Sequence, residues 1–77
     1  MENIPTPAEA AFEFVRLFKQ DRRKAYEYFA ALNTALPNRN LEKRKYAKAL
    51  VEQKNAMIDD KVLNGIHILF GLRYEAK

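Results

Sequence analysis

The 77-residue sequence contains no cysteine and no serine, one histidine and two glycines. Without cysteine, neither a disulfide nor a thiolate metal site can hold the fold together. The commonest catalytic nucleophiles are also missing, and the two threonines, Thr6 and Thr34, have no histidine near them in sequence. Gly65 and Gly71 do not form a glycine-rich phosphate loop. We therefore expect a protein that is not an enzyme and that uses no cofactor.

The few residues that could bind a metal are poorly placed to do so. His67 has Asn64 and Gly71 as its polar neighbours at helical spacing, and neither is a good metal ligand. Glu9 and Glu13 lie one helical turn apart, as in half of a di-metal carboxylate site. The Glu-x-x-His motif that completes such a site is missing. The sequence therefore predicts no metal site, and both glutamates are interpreted as charges that favour the start of a helix.

The length suits a single domain over residues 1–77, because a separate core normally needs about 50 residues or more. A chain of this size buries only about 60% of its unfolded surface, so it needs a dense core or a partner. The longest apolar run, residues 28–32, is far shorter than the ~20 residues of a membrane span, and so is the run at 68–70. Residues 1–5 also lack the character of a signal peptide. We expect a cytoplasmic protein with no membrane partner and no small-molecule substrate.

The first half of the chain carries signals for two helices. Residues 6–9, Thr-Pro-Ala-Glu, form a capping box with proline at the first helical position, which predicts a helix over about 7–20. Asp21 can cap a second helix that ends near Leu36, before Pro37. The expected core stripe of the second helix is Ala25, Phe29, Leu32 and Leu36.

The second half carries less certain signals. Asn40 can cap a third helix, whose apolar face is interrupted by Lys54. Asp59 and Asp60 can cap a fourth helix, whereas Asn64-Gly65 is a hairpin signal. We favour a helix because apolar residues from 62 to 70 continue a helical spacing. One long third helix through Asp59 remains an alternative. The apolar heptad positions of the third helix are Ala47, Leu50, Val51, Met57 and Ile58.

The charge is unevenly distributed. Fourteen Lys and Arg against ten Asp and Glu give a net charge of +4. Residues 16–24 and residues 39–48 each hold five basic residues and one acidic residue, so each segment carries +4. The rest of the chain holds four basic and eight acidic residues, which gives −4. Such asymmetry predicts a polyanion, above all a nucleic acid, or an acidic protein surface as the partner.

Two basic clusters supply the candidate nucleic-acid-binding residues. If the second and third helices pack antiparallel, one cluster lies at the corner between them and the other at the far end of the second helix. About fifteen residues at ~1.5 Å each then separate the clusters by about 22 Å, a distance that suits two stretches of nucleic acid backbone. They form two patches or the ends of one stripe. The candidates are Arg22, Arg23, Lys24, Arg39, Asn40, Lys43, Arg44 and Lys48.

The polar corner of residues 36–40 also permits a helix-turn-helix interpretation, in which the third helix enters the major groove by its N-terminus. The small residues and glycine usual in such a turn are not evident. Tyr26, Tyr28 and Tyr46 accompany the basic residues and could stack on bases. The alternative is that these tyrosines lie at the margin of the core with their hydroxyls in water. A solvated charged face that binds nothing also remains an alternative.

The first helix and residues 62–72 are more apolar than surface helices of a small domain usually are. They can cover each other at the centre of a bundle, but four short helices offer little interior for two such segments. We therefore expect a homodimer. The expected interface residues are Phe12, Phe14, Leu17, Phe18 and Ile68.

Together these features predict an all-α fold, a compact bundle of three or four short helices. The leading functional hypothesis is a small, basic, non-enzymatic protein that binds nucleic acid in an accessory or regulatory role, of the type found in mobile elements. The alternative is a protein-binding adaptor or inhibitor that docks through the first helix, with aromatic anchors. A structural subunit of a larger assembly is a third hypothesis. The anchors of the adaptor would be Phe12, Phe14, Phe18 and Tyr28.

Overall fold

Four α-helices make up most of the computed structural model, which describes residues 4–36, 39–53 and 58–75. The helices are α1 (Pro7–Gln20), α2 (Arg22–Ala35), α3 (Asn40–Glu52) and α4 (Asp60–Leu69). No strand occurs in the described ranges, so the all-α prediction is confirmed. The segment that also carried a hairpin signal is a helix. None of the described helices combines the length and the apolar character that crossing a membrane requires.

The start of α1 and the turn into α2 follow the predicted capping signals. The Thr6 hydroxyl accepts from the Glu9 N–H at 3.2 Å, and the Glu9 carboxylate accepts from the Thr6 N–H at 3.1 Å. This second hydrogen bond holds the pKa of Glu9 below its ordinary value. Asp21 ends α1 and caps α2, since its carboxylate accepts from the Arg23 N–H at 3.0 Å. A single residue therefore separates the two helices and reverses the chain.

The start of α3 differs from the prediction. Arg39 rather than Asn40 occupies the N-cap position, and no side chain caps the first turn by a hydrogen bond. Asn40 is the first helical residue, so it cannot act as the predicted cap. The predicted turn residues Pro37 and Asn38 lie outside the described part of the chain.

The alternative prediction of one long third helix through Asp59 is also wrong, because α3 ends at Glu52 and Asp59 caps a separate helix. The Asp59 carboxylate accepts from the Val62 N–H at 3.1 Å, as the sequence predicts. Ile58 is buried but lies between the two helices rather than on an extended face of α3. The predicted positions of Lys54 and Met57 fall outside the described residues.

The end of α4 is a Schellman motif built on Gly71, which has φ +75°. The Gly71 N–H donates to the Ile68 carbonyl at 2.9 Å, and the Leu72 N–H donates to the His67 carbonyl at 2.7 Å. These are the two hydrogen bonds that define the motif, and the left-handed residue between them favours glycine. The chain therefore turns back at this point, and residues 72–75 leave the helix in a new direction.

The helices pack in a ring in which α1 contacts α2 and α3, and α4 contacts the same two helices. α2 and α3 share at most a marginal contact, and so do α1 and α4. The predicted antiparallel hairpin of α2 and α3 is therefore wrong. The reason lies in α1, whose buried residues present a broad apolar face with two small alanines, so that neighbours approach it from two sides. These residues are Ala10, Ala11, Phe14 and Phe18.

The core is an aromatic cluster centred on Phe14, which is fully buried. Its ring centroid lies 4.8 Å from that of Phe29 and 5.8 Å from those of Phe18 and Tyr26. Phe29 in turn lies 5.5 Å from Phe70 at the end of α4. Later residues of α1 meet earlier residues of α2, so the two helices run antiparallel. The predicted core stripe of α2 is confirmed, since Ala25, Phe29, Leu32 and Leu36 are all buried.

The expected surplus of apolar surface is largely covered within the single chain. Phe14 and Phe18, two of the predicted interface residues, belong to the core and are 0% and 5% exposed. Phe12 and Ile68 are 66% and 65% exposed. The prediction that Phe14 and Phe18 contact a partner is therefore corrected, because α1 is covered by α2 and α3 rather than by a second molecule.

Replacing each glycine by alanine should change stability in opposite directions. Gly71→Ala puts a side chain into the left-handed region and should lower the free energy of unfolding by about 1 kcal/mol. Gly65 lies inside α4, where a Cβ atom would meet Tyr26 at 3.8 Å, an ordinary van der Waals contact. Gly65→Ala should therefore raise the free energy of unfolding by about 0.5–1 kcal/mol. Urea unfolding followed by circular dichroism measures both, and effects of the same sign would contradict these placements.

Phe14→Ala should lower the free energy of unfolding by about 3–5 kcal/mol, because it leaves a cavity at the centre of the core. Phe12→Ala, two residues away on the same helix, is the matched control and should cost less than about 0.5 kcal/mol. The same urea titration measures both variants. If Phe14→Ala leaves too little folded protein, Phe14→Leu should give a smaller loss that still exceeds that of Phe12→Leu. Equal losses at the two positions would disprove the assigned orientation of α1.

Candidate nucleic-acid interface

An open cleft of about 770 Å³ lies between α3, α4 and the segment that follows the Gly71 turn. We call it the α3–α4 cleft. Its walls combine basic, acidic and aromatic side chains from three successive stretches of the second half of the chain. The lining residues are Arg44, Lys48, Val51 and Glu52 of α3, Asp60 and His67 of α4, and Leu72, Arg73, Tyr74 and Glu75 of the C-terminal segment.

Arg44 and Lys48 come from the solvent-facing side of α3. Their spacing of four residues places them on one face of the helix. The other face carries the buried residues Tyr46, Ala47 and Leu50, which pack into the core. Both cations are exposed. The amphipathic pattern of α3 therefore directs two of the eight predicted nucleic-acid-binding residues into the cleft.

The C-terminal wall of the cleft is attached to α4 by Tyr74. Its hydroxyl donates to the Asp60 carboxylate at 2.8 Å, and its ring centroid lies 4.9 Å from that of His67. The hydrogen bond to Asp60 raises the pKa of Tyr74 above its ordinary value. His67 Nδ1 lies 2.7 Å from the Leu63 carbonyl and donates to it, since a carbonyl oxygen only accepts. Both rings are therefore held in fixed positions.

The cations of the cleft carry charge that no direct ion pair neutralises. Arg44, Lys48 and Arg73 share the lining with Glu52, Asp60 and Glu75, so the two signs are equal in number. Within the described residues, however, the ion pairs are Arg16–Glu13 and Lys45–Glu42, on other surfaces. The three cations thus share the cleft with three carboxylates but form no direct ion pair with any described residue.

The other basic segment lies elsewhere on the molecule. Arg22, Arg23 and Lys24 are exposed at the start of α2, on the helix diagonal to α3. The Tyr46 hydroxyl donates to the Pro5 carbonyl, so the middle of α3 lies beside the start of α1. The three basic residues of α2, in contrast, come just after the end of α1. Outward faces of diagonal helices point away from each other. The two basic segments are therefore separate patches and not the ends of one stripe.

The remaining candidates surround the N-terminus of α3 rather than the cleft. Arg39 and Asn40 are exposed, and Lys43 is half-buried. A helix-turn-helix unit requires its two helices to pack against each other. Because α2 and α3 share at most a marginal contact, that interpretation is wrong.

The tyrosines behave as margins of the core rather than as stacking platforms. Tyr46 is buried, with its hydroxyl hydrogen-bonded to Pro5. Tyr26 and Tyr28 are half-buried against the core, and desolvation raises the pKa of each above its ordinary value. Tyr74, which the sequence interpretation did not include, is also half-buried against the core, but it lines the α3–α4 cleft together with three cations.

Arg73, Tyr74 and His67 are the site residues that sequence reasoning missed. Nothing in the local pattern places residues 73 and 74 beside residues 44 and 48, because that contact depends on how α3 and α4 pack. The signal that points to it is Gly71, since a glycine just after a helix marks a place where the chain turns.

A second, smaller groove of about 280 Å³ lies on the outer side of α1. Phe12 lines it, but the other exposed or half-exposed members of the predicted dimer interface lie elsewhere. Leu17 is five residues further on, and so about 140° around the helix from Phe12. Ile68 belongs to α4, which is diagonal to α1. The predicted interface residues therefore do not form one surface. The groove is lined by Phe12, Val15, Arg16, Lys19 and Gln53.

The α3–α4 cleft is thus larger than the groove on α1 and joins two predicted cations to a third cation and a fixed pair of rings. Among the described residues, no group of three or more His, Cys, Asp or Glu is arranged to hold a metal ion. Comparison of the chain with protein-family models, with curated proteins and with solved structures gives no match, so the cleft itself is the basis for a functional proposal.

Proposed function

We propose that this protein binds nucleic acid, without catalysing a reaction on it, through the α3–α4 cleft and the N-terminal half of α3. The observation that carries the proposal is the presence of Arg44, Lys48 and Arg73 in one open cleft, where no ion pair joins them to another described residue. Cations outside direct ion pairs can replace the counterions of phosphate groups, which is the main source of affinity for nucleic acids.

The N-terminus of α3 is a second feature that favours phosphate binding on this side of the molecule. No side-chain hydrogen bond caps its first turn, Arg39 is its N-cap residue, and Lys43 lies one turn further on. A helix N-terminus of this kind favours phosphate. The start of α2 is less suitable, because Asp21 already caps it and the Arg22 guanidinium lies over the Phe18 ring at 5.1 Å. We therefore favour the basic residues of α3 over those of α2.

The biological role that we infer is accessory or regulatory, in the cytoplasm, of the kind that small proteins of mobile elements perform. The sequence lacks cysteine and serine, and its one histidine donates to a backbone carbonyl. These features favour occupation or masking of a nucleic acid over cleavage or modification.

Reversing the charge of Arg44 and Lys48 together should abolish retention of nucleic acid in gel shift assays at ~50 mM salt, because phosphate contacts dominate affinity. Replacing the same two residues by alanine should make affinity less dependent on salt: the magnitude of the slope of log affinity against log salt concentration should fall by about 2. The matched control is the double reversal of Arg23 and Lys24, which changes net charge equally and should keep most of the affinity.

Two results would contradict this proposal. One is the absence of any shift of duplex DNA, single-stranded DNA or RNA by the unaltered protein at ~50 mM salt. The other is an equal loss of affinity in both double-reversal variants, which would mean that overall charge and not the α3 surface determines binding.

We also propose that the protein forms a homodimer, with the α1 groove as the contact. Phe12 is two-thirds exposed and lies beside Val15 in this groove, and such apolar surface favours association. The alternative function, a protein-binding adaptor or inhibitor that docks through α1, uses the same groove. Because that contact is distant from α3, the Arg44 and Lys48 reversal should leave it intact.

Light scattering at tens of micromolar should give twice the chain mass of 9.0 kDa. Phe12→Glu should give the monomer mass, because it places a charge in an apolar contact. Ile68→Glu replaces a side chain of equal exposure on α4 and should leave the dimer intact. A monomer mass for the unaltered protein would remove the homodimer and leave the groove to the adaptor hypothesis.

A further inference from the structure

We propose that the α3–α4 cleft takes a single-stranded segment of one or two nucleotides, with a base stacked on Tyr74 and the adjoining phosphates on Arg44, Lys48 and Arg73. This inference rests on the proposed function and specifies the form of nucleic acid that the same site takes. It depends on the shape of the cleft, on the position of its aromatic rings and on the arrangement of its charges.

The volume of the cleft is too small for a duplex to lie inside it. A volume of about 770 Å³ lies in the range of pockets that enclose a small ligand, and it suits one or two nucleotides. Bases in a duplex are stacked inside the helix and cannot reach a ring on a concave wall. Only an unstacked base, as in a single strand or a loop, can enter such a site.

The aromatic pair supplies a fixed platform. His67 packs against Tyr74 with the ring planes inclined by 46°, and the Tyr74 hydroxyl is held by Asp60. Tyr74 is half-buried and lines the cleft, so part of its side chain borders the open space. Because both rings are already held in place, a base that stacks there immobilises few side-chain torsions.

The charges limit the strand to a short contact. Arg44 and Lys48 of α3 and Arg73 of the C-terminal segment line the same cleft as Tyr74, so the phosphates beside a stacked base can meet cations from two stretches of the chain. Glu52 and Glu75 line the same cleft and repel phosphates. A long basic track is therefore absent from the cleft, and the contact is confined to the nucleotides beside Tyr74.

Fluorescence anisotropy with a labelled oligonucleotide of about 12 nucleotides, alone and annealed to its complement, tests the inference. The unaltered protein should bind the single strand at least about tenfold more tightly than the duplex, since stacking adds to the phosphate contacts. Tyr74→Leu should weaken single-strand binding by about 5- to 100-fold and leave duplex binding unchanged. Tyr74→Phe keeps the ring but loses the hydrogen bond to Asp60, and should stay within about twofold.

His67 provides an independent readout because it is the only histidine in the sequence. Its ring resonances in proton NMR should shift when the single strand is added and should remain in place when the duplex is added. This measurement uses the unaltered protein, so it does not depend on whether Tyr74→Leu folds. Far-ultraviolet circular dichroism checks the folding of both Tyr74 variants.

The possible outcomes separate this inference from the proposed function. In one outcome the protein binds single strand and duplex equally, the Arg44 and Lys48 reversal abolishes this binding, and Tyr74→Leu leaves it unchanged. That outcome would overturn the inference and retain the proposed function. No binding of either form would overturn both. Binding of a free nucleoside monophosphate without binding of the oligonucleotide would overturn the inference in favour of a small-molecule site.

Discussion

Burial of α1 from two sides is the constraint on which the rest of the structure depends. Phe14 and Phe18 face α2, where they contact Phe29 and Tyr26, while the same helix packs against α3. Removing this much apolar surface from water is the main favourable contribution available to a chain without disulfides. Once α1 separates α2 from α3, these two helices take opposite corners of the bundle, and α4 is left to close the remaining gap between them.

This arrangement also decides where the charge lies. The two basic segments are similar in composition, yet their helices are diagonal and so their exposed faces diverge. At the start of α2, Asp21 caps the helix and Arg22 packs over an aromatic ring. At the middle of α3, Arg44 and Lys48 face a cleft. Equal net charge in the two segments therefore goes with different surroundings, since Arg44 and Lys48 line a cleft and the α2 cations lie at an exposed helix start.

The cleft exists because the chain turns back after α4. Gly71 adopts the left-handed conformation that a β-carbon disfavours, and the Schellman hydrogen bonds stabilise the turn. The segment that follows is then held by Tyr74, whose hydroxyl bonds to Asp60 at the other end of α4. A glycine turn, a ring contact and one hydrogen bond thus give residues 72–75 a defined place beside α3. Short terminal segments without such contacts are usually poorly ordered.

Local chemistry in the sequence determined the helix starts at Thr6, Asp21 and Asp59. It also determined the helical state of residues 60–69 and the core stripe of α2, because capping and apolar periodicity act within a few residues. It could not determine which helices are neighbours, since every amphipathic helix offers an apolar stripe and packing selects among the partners. That selection placed Phe14 and Phe18 in the core instead of an interface. The selection also brought Arg73 and Tyr74 beside Arg44 and Lys48, across almost 30 positions of sequence. The candidate site is therefore a product of tertiary structure, whereas the basic, helical character of the chain is present in its sequence.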